Sequence, residues 1–296
     1  MRAALLTAVT PMLWGTTYAV TTEFLPPDRP LFGAAVRALP AGLLLLLLTR
    51  RLPGGSWWWR AAVLGVLNIG AFFALLFVAS YRLPGGMAAV LGAVQPLAVA
   101  GLTVLLLAER VPLRTVLASI AGACGVALAV LTASARLDPV GLAAGLAGAA
   151  SMAAGIVLAK RWGRPNVSPL TLTGWQLTAG GLVLAPLTLA FEGLPAALTV
   201  RHLAAYGYLT LIATALGYTI WFWGLGRLKA VEVSLLGLLS PLVATVVGWV
   251  WLGQSLTVVQ VAGIVLAFGA VVAGTWQQGE RAGALPAPAV DVGARP

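Results

Sequence analysis

Ten long apolar stretches follow one another along the chain, separated by short segments rich in proline, glycine and charge. Residues 26–30 form such a break after the first stretch, and residues 82–86 form another before the fourth. A membrane-spanning helix needs about 20 consecutive apolar residues, and these runs are continuous rather than alternating as in outer-membrane barrels. The pattern predicts an all-α integral membrane protein with ten transmembrane helices at approximately 3–22, 31–49, 61–81, 86–107, 113–133, 140–159, 169–190, 203–224, 232–252 and 257–276.

The composition excludes several classes of protein. Hydrophobic residues make up 60% of the 296 positions, charged residues only 9%, and the mean hydropathy is +0.97. Soluble domains carry about 25% charged residues. The single cysteine, Cys124, and the single histidine, His202, exclude an intramolecular disulfide and the usual Cys/His metal sites. Neither Lys160 nor Lys229 follows a G-x-x-x-x-G run, so the chain has no Walker A loop, and we expect neither a metal nor a cofactor.

Basic residues are unevenly distributed between the two sets of loops. If the N-terminus is cytoplasmic, thirteen Lys and Arg side chains lie on the inner side and four on the outer side, with Arg37 inside a span. Cytoplasmic loops carry an excess of Lys and Arg. The distribution predicts a multi-pass inner (plasma) membrane protein with both termini in the cytoplasm, and it explains the net charge of +10 without nucleic acid as a partner. Residues 277–296 are predicted to be a disordered cytoplasmic tail.

An internal repeat relates the two halves of the chain at an offset of 145 residues. Gly92 corresponds to Gly237 and Pro96 to Pro241, and both segments contain a basic loop, an apolar run and a mid-span proline. Because each half has an odd number of spans, the second copy enters the membrane in the opposite sense. We therefore predict an inverted five-plus-five repeat, helix kinks at both prolines, and a site at the repeat interface near the midplane. The two predicted repeats are residues 1–134, with helices 1–5, and residues 135–276, with helices 6–10.

Several segments resemble the EamA-type family of the drug/metabolite transporter superfamily. They are PMLWGTTYAV, PLFGAAVRALPAG, RLPGGMAAVLGAVQPLAVAGLTVLLLAERV and the second-half segment RLKAVEVSLLGLLSPLVATVVGWVWLGQSL. The opening WGTTYAVTTEFLPPDRP is most similar to the PecM-like efflux subgroup. The resemblance implies ten helices in two EamA domains, both termini inside, and efflux of small organic molecules. The chain departs from the family at Gln254, where a Glu is common, so that only Glu109 supplies this carboxylate.

Arg37 is the outstanding charge within a predicted span, about six residues from the outer end of the second. Placing an Arg at the bilayer centre costs at least ~2.5 kcal/mol, so the side chain must face protein or water. It is either a partner for a substrate carboxylate or a structural Arg that reaches the headgroups or ties helix ends together. Both interpretations remain open.

Three buried amides and three aromatic residues complete the candidate substrate-binding set. An amide lining a polar cavity competes with the simpler interpretation of an interhelical hydrogen bond, which is more probable for any single residue. Aromatic faces at mid-depth suit flat or apolar substrates, whereas Trp221 and Trp223 are predicted to belong to the interfacial belt. The cavity is predicted to be formed chiefly by the first four spans of each half, while the fifth and tenth suit lipid or scaffold contact. The candidates besides Arg37 are Asn68, Gln95, Gln176, Trp14, Tyr18 and Trp175.

The main hypothesis is a secondary transporter that exports small organic metabolites, amino-acid-like or aromatic and pigment-like, across the inner membrane by alternating access. An integral membrane enzyme is an alternative, but such enzymes usually need clusters of His or acidic residues. A membrane sensor or structural subunit is another. All eight acids lie at span ends, in loops or in the tail, so coupling near the inner surface through Glu109 or Glu232, exchange and facilitated diffusion remain open. Small residues four apart, such as Gly141 and Gly145, favour intramolecular packing and give only weak support to a homodimer.

Overall fold

The computed structural model describes residues 2–26, 29–83, 87–130, 138–163, 165–253 and 255–276, without the side chains of Tyr81 and Leu252. The predicted tail, residues 131–133, Gly86 and Gln254 lie outside this part of the chain. The described residues contain ten helices that are long and apolar enough to cross a membrane, which confirms the predicted all-α membrane architecture. They are α1 (Arg2–Phe24), α2 (Pro30–Thr49), α3 (Trp57–Ser80), α4 (Met87–Leu107), α5 (Leu113–Val130), α6 (Pro139–Arg161), α7 (Pro169–Phe191), α8 (Val200–Leu225), α9 (Ala230–Trp251) and α10 (Val258–Thr275).

Successive helices run in alternating directions, so the bundle has two ends. The N-terminal end carries the start of α1 and the α2–α3 and α6–α7 connections, where the indole nitrogen of Trp175 donates to the carbonyl of Arg51 at 2.8 Å. The opposite end carries the α1–α2 and α7–α8 connections. There both carboxylate oxygens of Glu192 accept backbone N–H groups of α2, from Leu31 and from Phe32, each at 2.8 Å. A carboxylate stabilises these unpaired donors at the positive end of the helix dipole, so the end of α7 holds the start of α2.

The helix packing has the same pattern in both halves. The main contacts made by the first five helices are repeated by the helices that occupy the same places in the second half. α2 packs on α7, and α5 packs on α10. α1 packs on α8 and α9, and the corresponding α6 packs on α3 and α4. This is the arrangement expected of two five-helix repeats related by a two-fold axis. The axis passes between the self-paired helices, which are the helices that pack on their own counterparts: α2 on α7 and α5 on α10.

The self-paired helices approach closely through glycine. A Cβ added at Gly125 of α5 would lie 2.5 Å from the backbone nitrogen of Ala267 in α10, and one added at Gly181 of α7 would lie 2.6 Å from the Cα of Leu39 in α2. Such backbone contact needs small residues. Gly141 of α6 similarly lies against Leu83 of the same chain, as the small-residue spacing predicts.

Two π-helical segments lie at corresponding positions of the two halves, Val66–Gly70 in α3 and Leu209–Leu216 in α8. At the repeat offset of 145, residues 66–70 correspond to 211–215. A π-helical turn leaves carbonyl groups outside the regular ladder, and α6 and α1 supply donors to them. The hydroxyl of Ser151 donates to the carbonyl of Leu67 at 2.9 Å, and the indole nitrogen of Trp14 donates to that of Ala213 at 3.0 Å.

Candidate transport site between the two halves

The fourth helix of each half is broken at the same place. α4 consists of Met87–Gly92 and Gln95–Leu107, and α9 consists of Ala230–Leu236 and a second segment that begins at Leu239. Pro96 and Pro241 lie in the first turn after each break. Proline has no N–H to donate and clashes with the preceding turn, so the helix cannot continue regularly through this point.

Both breaks face a cavity of about 100 Å³. The exposed fraction of its lining side chains falls from 47% at Tyr18, near the end of α1, to 1% at Trp221 and 1% at Ser234. The cavity therefore opens toward the opposite end of the bundle and is closed toward the N-terminal end. Its lining comes from α1, α3, α4, α6, α8 and α9, and includes Trp14, Tyr18, Phe72, Leu76, Ala89, Gly92, Gln95, Met152, Trp221, Ser234, Gly237, Ser240 and Pro241.

Ten of the sixteen lining residues form pairs related by the repeat offset. Five pairs differ by 145 in residue number, and each has both members in the cavity wall. The cavity therefore lies on the symmetry axis between the halves, where an inverted-repeat transporter holds its substrate. The pairs are Leu76 and Trp221, Ala89 and Ser234, Gly92 and Gly237, Ala93 and Leu238, and Gln95 and Ser240.

An aromatic cluster forms the closed side of the cavity. The ring centroid of Trp14 lies 4.8 Å from that of Tyr218 and 5.1 Å from that of Trp221. The hydrogen bond from Trp14 to Ala213 fixes the indole orientation. Trp221 is only 1% exposed, so its predicted role in the interfacial belt is wrong. Trp221 lies on the inward face of α8. The prediction rested on its distance from the end of the span, and that distance does not show which face of the helix a residue occupies.

Two N–H donors in the cavity wall have no hydrogen-bond partner. They are the side-chain amide nitrogen of Gln95 and the indole nitrogen of Trp221. Buried donors are nearly always paired, and an unpaired one marks a place where a ligand acceptor or water fits. No carboxylate is present among the described residues that line the cavity.

Arg37 lies beside the cavity rather than in its wall. Its Nε donates to the hydroxyl of Thr214 at 2.9 Å, and its guanidinium lies 5.0 Å from the ring centroid of Phe73. Within the described ranges, no carboxylate oxygen lies within 4.0 Å of its nitrogens.

The remaining candidates lie away from the central cavity. The amide nitrogen of Asn68 donates to the amide oxygen of Gln176 at 2.9 Å, and both side chains are buried between α3 and α7. Trp175 is held at the N-terminal end by its bond to Arg51. The structure thus brings Trp14, Tyr18 and Gln95 together and leaves Asn68, Trp175 and Gln176 outside. α2 and α7 line no part of the cavity because they pack on each other, so the expected contribution of all four leading spans in each half is too broad.

Comparison with known proteins shows the same architecture. The chain matches the EamA-like transporter family twice, over residues 1–131 and 139–274. It is 48% identical to Protein PecM of Dickeya dadantii (strain 3937) over 263 residues, which cover 88% of each protein. A crystal structure with 19% sequence identity superposes with a TM-score of 0.79 over 93% of this chain and 96% of that one. The duplicated match, the ten helices and the cavity between the halves agree, and the chain belongs to the EamA-like transporter family.

Proposed function

We propose that the protein is a secondary transporter that exports small organic metabolites across the inner membrane by alternating access. The observation that carries this proposal is the cavity on the symmetry axis, lined by five repeat-related pairs and open at one end only. Residues 1–134 and 135–276 would be the two repeats that move relative to each other.

An asymmetry between equivalent helix segments supports alternating access. In the first segment of α9, Ala230–Leu236, all seven residues are buried. In the equivalent segment of α4, Met87–Gly92, none is buried. If the repeats exchange conformations, Met87–Gly92 becomes the packed segment and Ala230–Leu236 the exposed one. The cavity then closes at the opposite end and opens at the N-terminal end.

The cavity chemistry favours flat, acceptor-bearing substrates. Its closed side is aromatic, with Trp14, Trp221 and Phe72 in the wall, and these faces bind planar apolar bodies well. The unpaired donors of Gln95 and Trp221 suit carbonyl or carboxylate oxygens. The nearby charge of Arg37 further favours anions and zwitterions over cations. Aromatic carboxylates and aromatic amino-acid-like molecules meet these requirements.

The distribution of basic residues orients the proposed cycle. With both termini cytoplasmic, the open end of the cavity faces outward, as in an exporter that has just released its substrate. The closed N-terminal end would face the cytoplasm, where the substrate is loaded.

Efflux from proteoliposomes tests the proposal. The purified chain is reconstituted around a labelled panel of aromatic carboxylates, aromatic amino acids and their uncharged amides. We expect time-dependent efflux of the anionic or zwitterionic members, and strong loss of efflux for Trp221→Ala. Trp249→Ala is the matched control, because Trp249 is 51% exposed and lies outside the cavity wall. If every compound of the panel leaves proteoliposomes no faster than it leaves protein-free liposomes, the proposed substrate class is refuted.

A further inference from the structure

We propose that a second pocket, at the N-terminal end of the bundle, binds a small aromatic carboxylate that carries a further hydrogen-bond acceptor. The pocket lies between α3, α6, α7 and α8 and shares no lining residue with the central cavity. This inference concerns a separate binding site and stands whether or not the central cavity transports the proposed substrates.

The deep end of this second pocket presents an unpaired amide donor. Gln176 lines the pocket and is 0% exposed. Its oxygen accepts the bond from Asn68, while its nitrogen has no partner, and neither does the oxygen of Asn68. Two facing side-chain amides can exchange two hydrogen bonds, but this pair makes one. The unused N–H groups of Gln176 therefore offer a buried contact to an acceptor atom of a ligand.

The mouth of the second pocket is positively charged. Lys160, in the last turn of α6, lines it. Lys160 also borders an adjoining depression that contains Arg227 and Lys229 along with one acid, Glu109. A second carboxylate, Glu232, interacts with Lys160 and Lys229. Three cations and two carboxylates still leave this rim net positive, which favours a carboxylate over a neutral or cationic group.

The walls between these two polar ends are apolar and partly aromatic. Trp57 and Phe222 line the pocket together with Leu64 and Leu225. The ring of Trp57 lies 6.4 Å from that of Trp175, whose indole is tied to the α2–α3 connection, so this wall has a fixed neighbour. A flat ring fits between such walls, with its anionic group toward Lys160 and its acceptor toward Gln176.

Occupation of the second pocket would be linked to the state of the transporter. Phe222 lines this pocket while its neighbour Trp221 lines the central cavity. The pocket walls are the helix ends that must separate if the N-terminal end opens. A ligand held between them therefore stabilises the form in which the N-terminal end is closed.

Binding of a fluorinated probe to the intact purified protein tests the proposal. The probe is 6-fluoro-4-oxoquinoline-2-carboxylate, which carries a carboxylate at one end and a ring carbonyl at the other, and fluorine NMR follows its binding. Its methyl ester, which lacks the charge, is the control probe. We expect saturable binding of the acid, and Lys160→Gln should weaken it by about tenfold or more, the usual effect of losing a charged hydrogen bond.

Matched variants separate this pocket from the rest of the molecule. Arg161→Gln removes a charge from the same turn of α6 but from outside both the pocket and the adjoining depression, and it should bind like the wild type. Gly92→Leu projects only into the central cavity, because a Cβ at Gly92 meets no atom within 4 Å, and it should keep the binding. Gln176→Met should weaken binding of the probe acid more than it weakens binding of an analogous acid that lacks the ring carbonyl. The proposal is overturned if the wild-type protein shows no saturable binding, if Lys160→Gln and Arg161→Gln behave alike, or if Gly92→Leu abolishes the binding.

Discussion

The side chain of Arg37 donates from its Nε to the hydroxyl of Thr214, 2.9 Å away. This bond joins α2 of the first half to the π-helical segment of α8 in the second half. Only one guanidinium nitrogen is used in this way, and the bond leaves the charge itself without a carboxylate within 4.0 Å among the described residues. Arg37 is thus anchored to the opposite half and still able to attract an anion.

Substitution of Arg37 separates recognition from architecture. Arg37→Gln should reduce transport of anionic and zwitterionic substrates by about tenfold or more, because a charged hydrogen bond is lost. Arg37→Lys should recover part of the activity, since the charge stays while the planar fork is lost. The measurement is initial flux in proteoliposomes at matched protein abundance.

The control for this prediction is Thr214→Val, which removes the anchoring hydroxyl but keeps the charge. Its flux should remain closer to that of the wild type than the flux of Arg37→Gln. If both Arg37 variants instead lose folded protein equally, Arg37 has a structural role only.

Filling the cavity from Gly92 should block transport without unfolding the protein. A Cβ at Gly92 meets no atom within 4 Å, and the residue lies in the cavity wall. Gly92→Leu should therefore lower flux by about tenfold or more by occupying substrate volume, while the melting temperature stays near that of the wild type. Gly101→Leu on the same helix is the matched control, because Gly101 is exposed and also has free space around it. Normal flux in Gly92→Leu would argue against substrate passage at this point.

The contact between α5 and α10 should be sensitive to a single methyl group. Gly125→Ala places a Cβ 2.5 Å from the backbone of Ala267, so the helices must move apart. Overpacking of this kind costs about 1–3 kcal/mol. We expect a lower melting temperature in detergent, whereas Gly269→Ala on the exposed side of α10 should leave it unchanged. Equal melting temperatures for the two variants would contradict the close approach.

Topology can be checked with fused reporters. The distribution of thirteen basic residues against four predicts that Pro296 lies in the cytoplasm. A reporter that is active only in the periplasm should stay dark when fused after Pro296 and become active when fused after Asp138. Reversal of the two signals would invert the proposed direction of the open cavity.

Thiol labelling tests the asymmetry between the repeats. In a Cys124→Ser background, Ala89→Cys and Ser234→Cys introduce thiols at repeat-related sites of the cavity wall. Ala89 is half-buried and Ser234 is 1% exposed. A membrane-impermeant reagent added outside should modify the first variant faster than the second. Similar rates would mean that the cavity is not open on the Ala89 side alone.

The number of helices and the repeat were predictable because both depend on runs of apolar residues and on the spacing of glycine and proline. The side chains that meet in the cavity were harder to predict from the sequence. In a span that is apolar all round, no periodicity marks the inward face. Asn68 and Gln176 are polar because they bind each other, whereas Trp221 faces the cavity at a depth typical of interfacial residues.

The π-helical segments were not predicted, since no residue type marks them. Val66–Gly70 contains one amide, Asn68, and Leu209–Leu216 contains two threonines, so the two segments share no polar residue type. Their conformation depends on partners from distant helices, such as Ser151 and Trp14, which accommodate the displaced carbonyl groups. A tertiary contact of this kind cannot be read from the local sequence.

The pairing of wall residues has an evolutionary consequence. Before duplication, one position of an ancestral five-helix chain would have supplied both walls of a symmetric dimer, so every mutation changed the cavity twice. In the fused chain each copy diverges alone, as Leu76 and Trp221 or Ala89 and Ser234 have done. Selection can then change one wall of the cavity while the other wall continues to bind substrate, so the substrate range can change in separate steps.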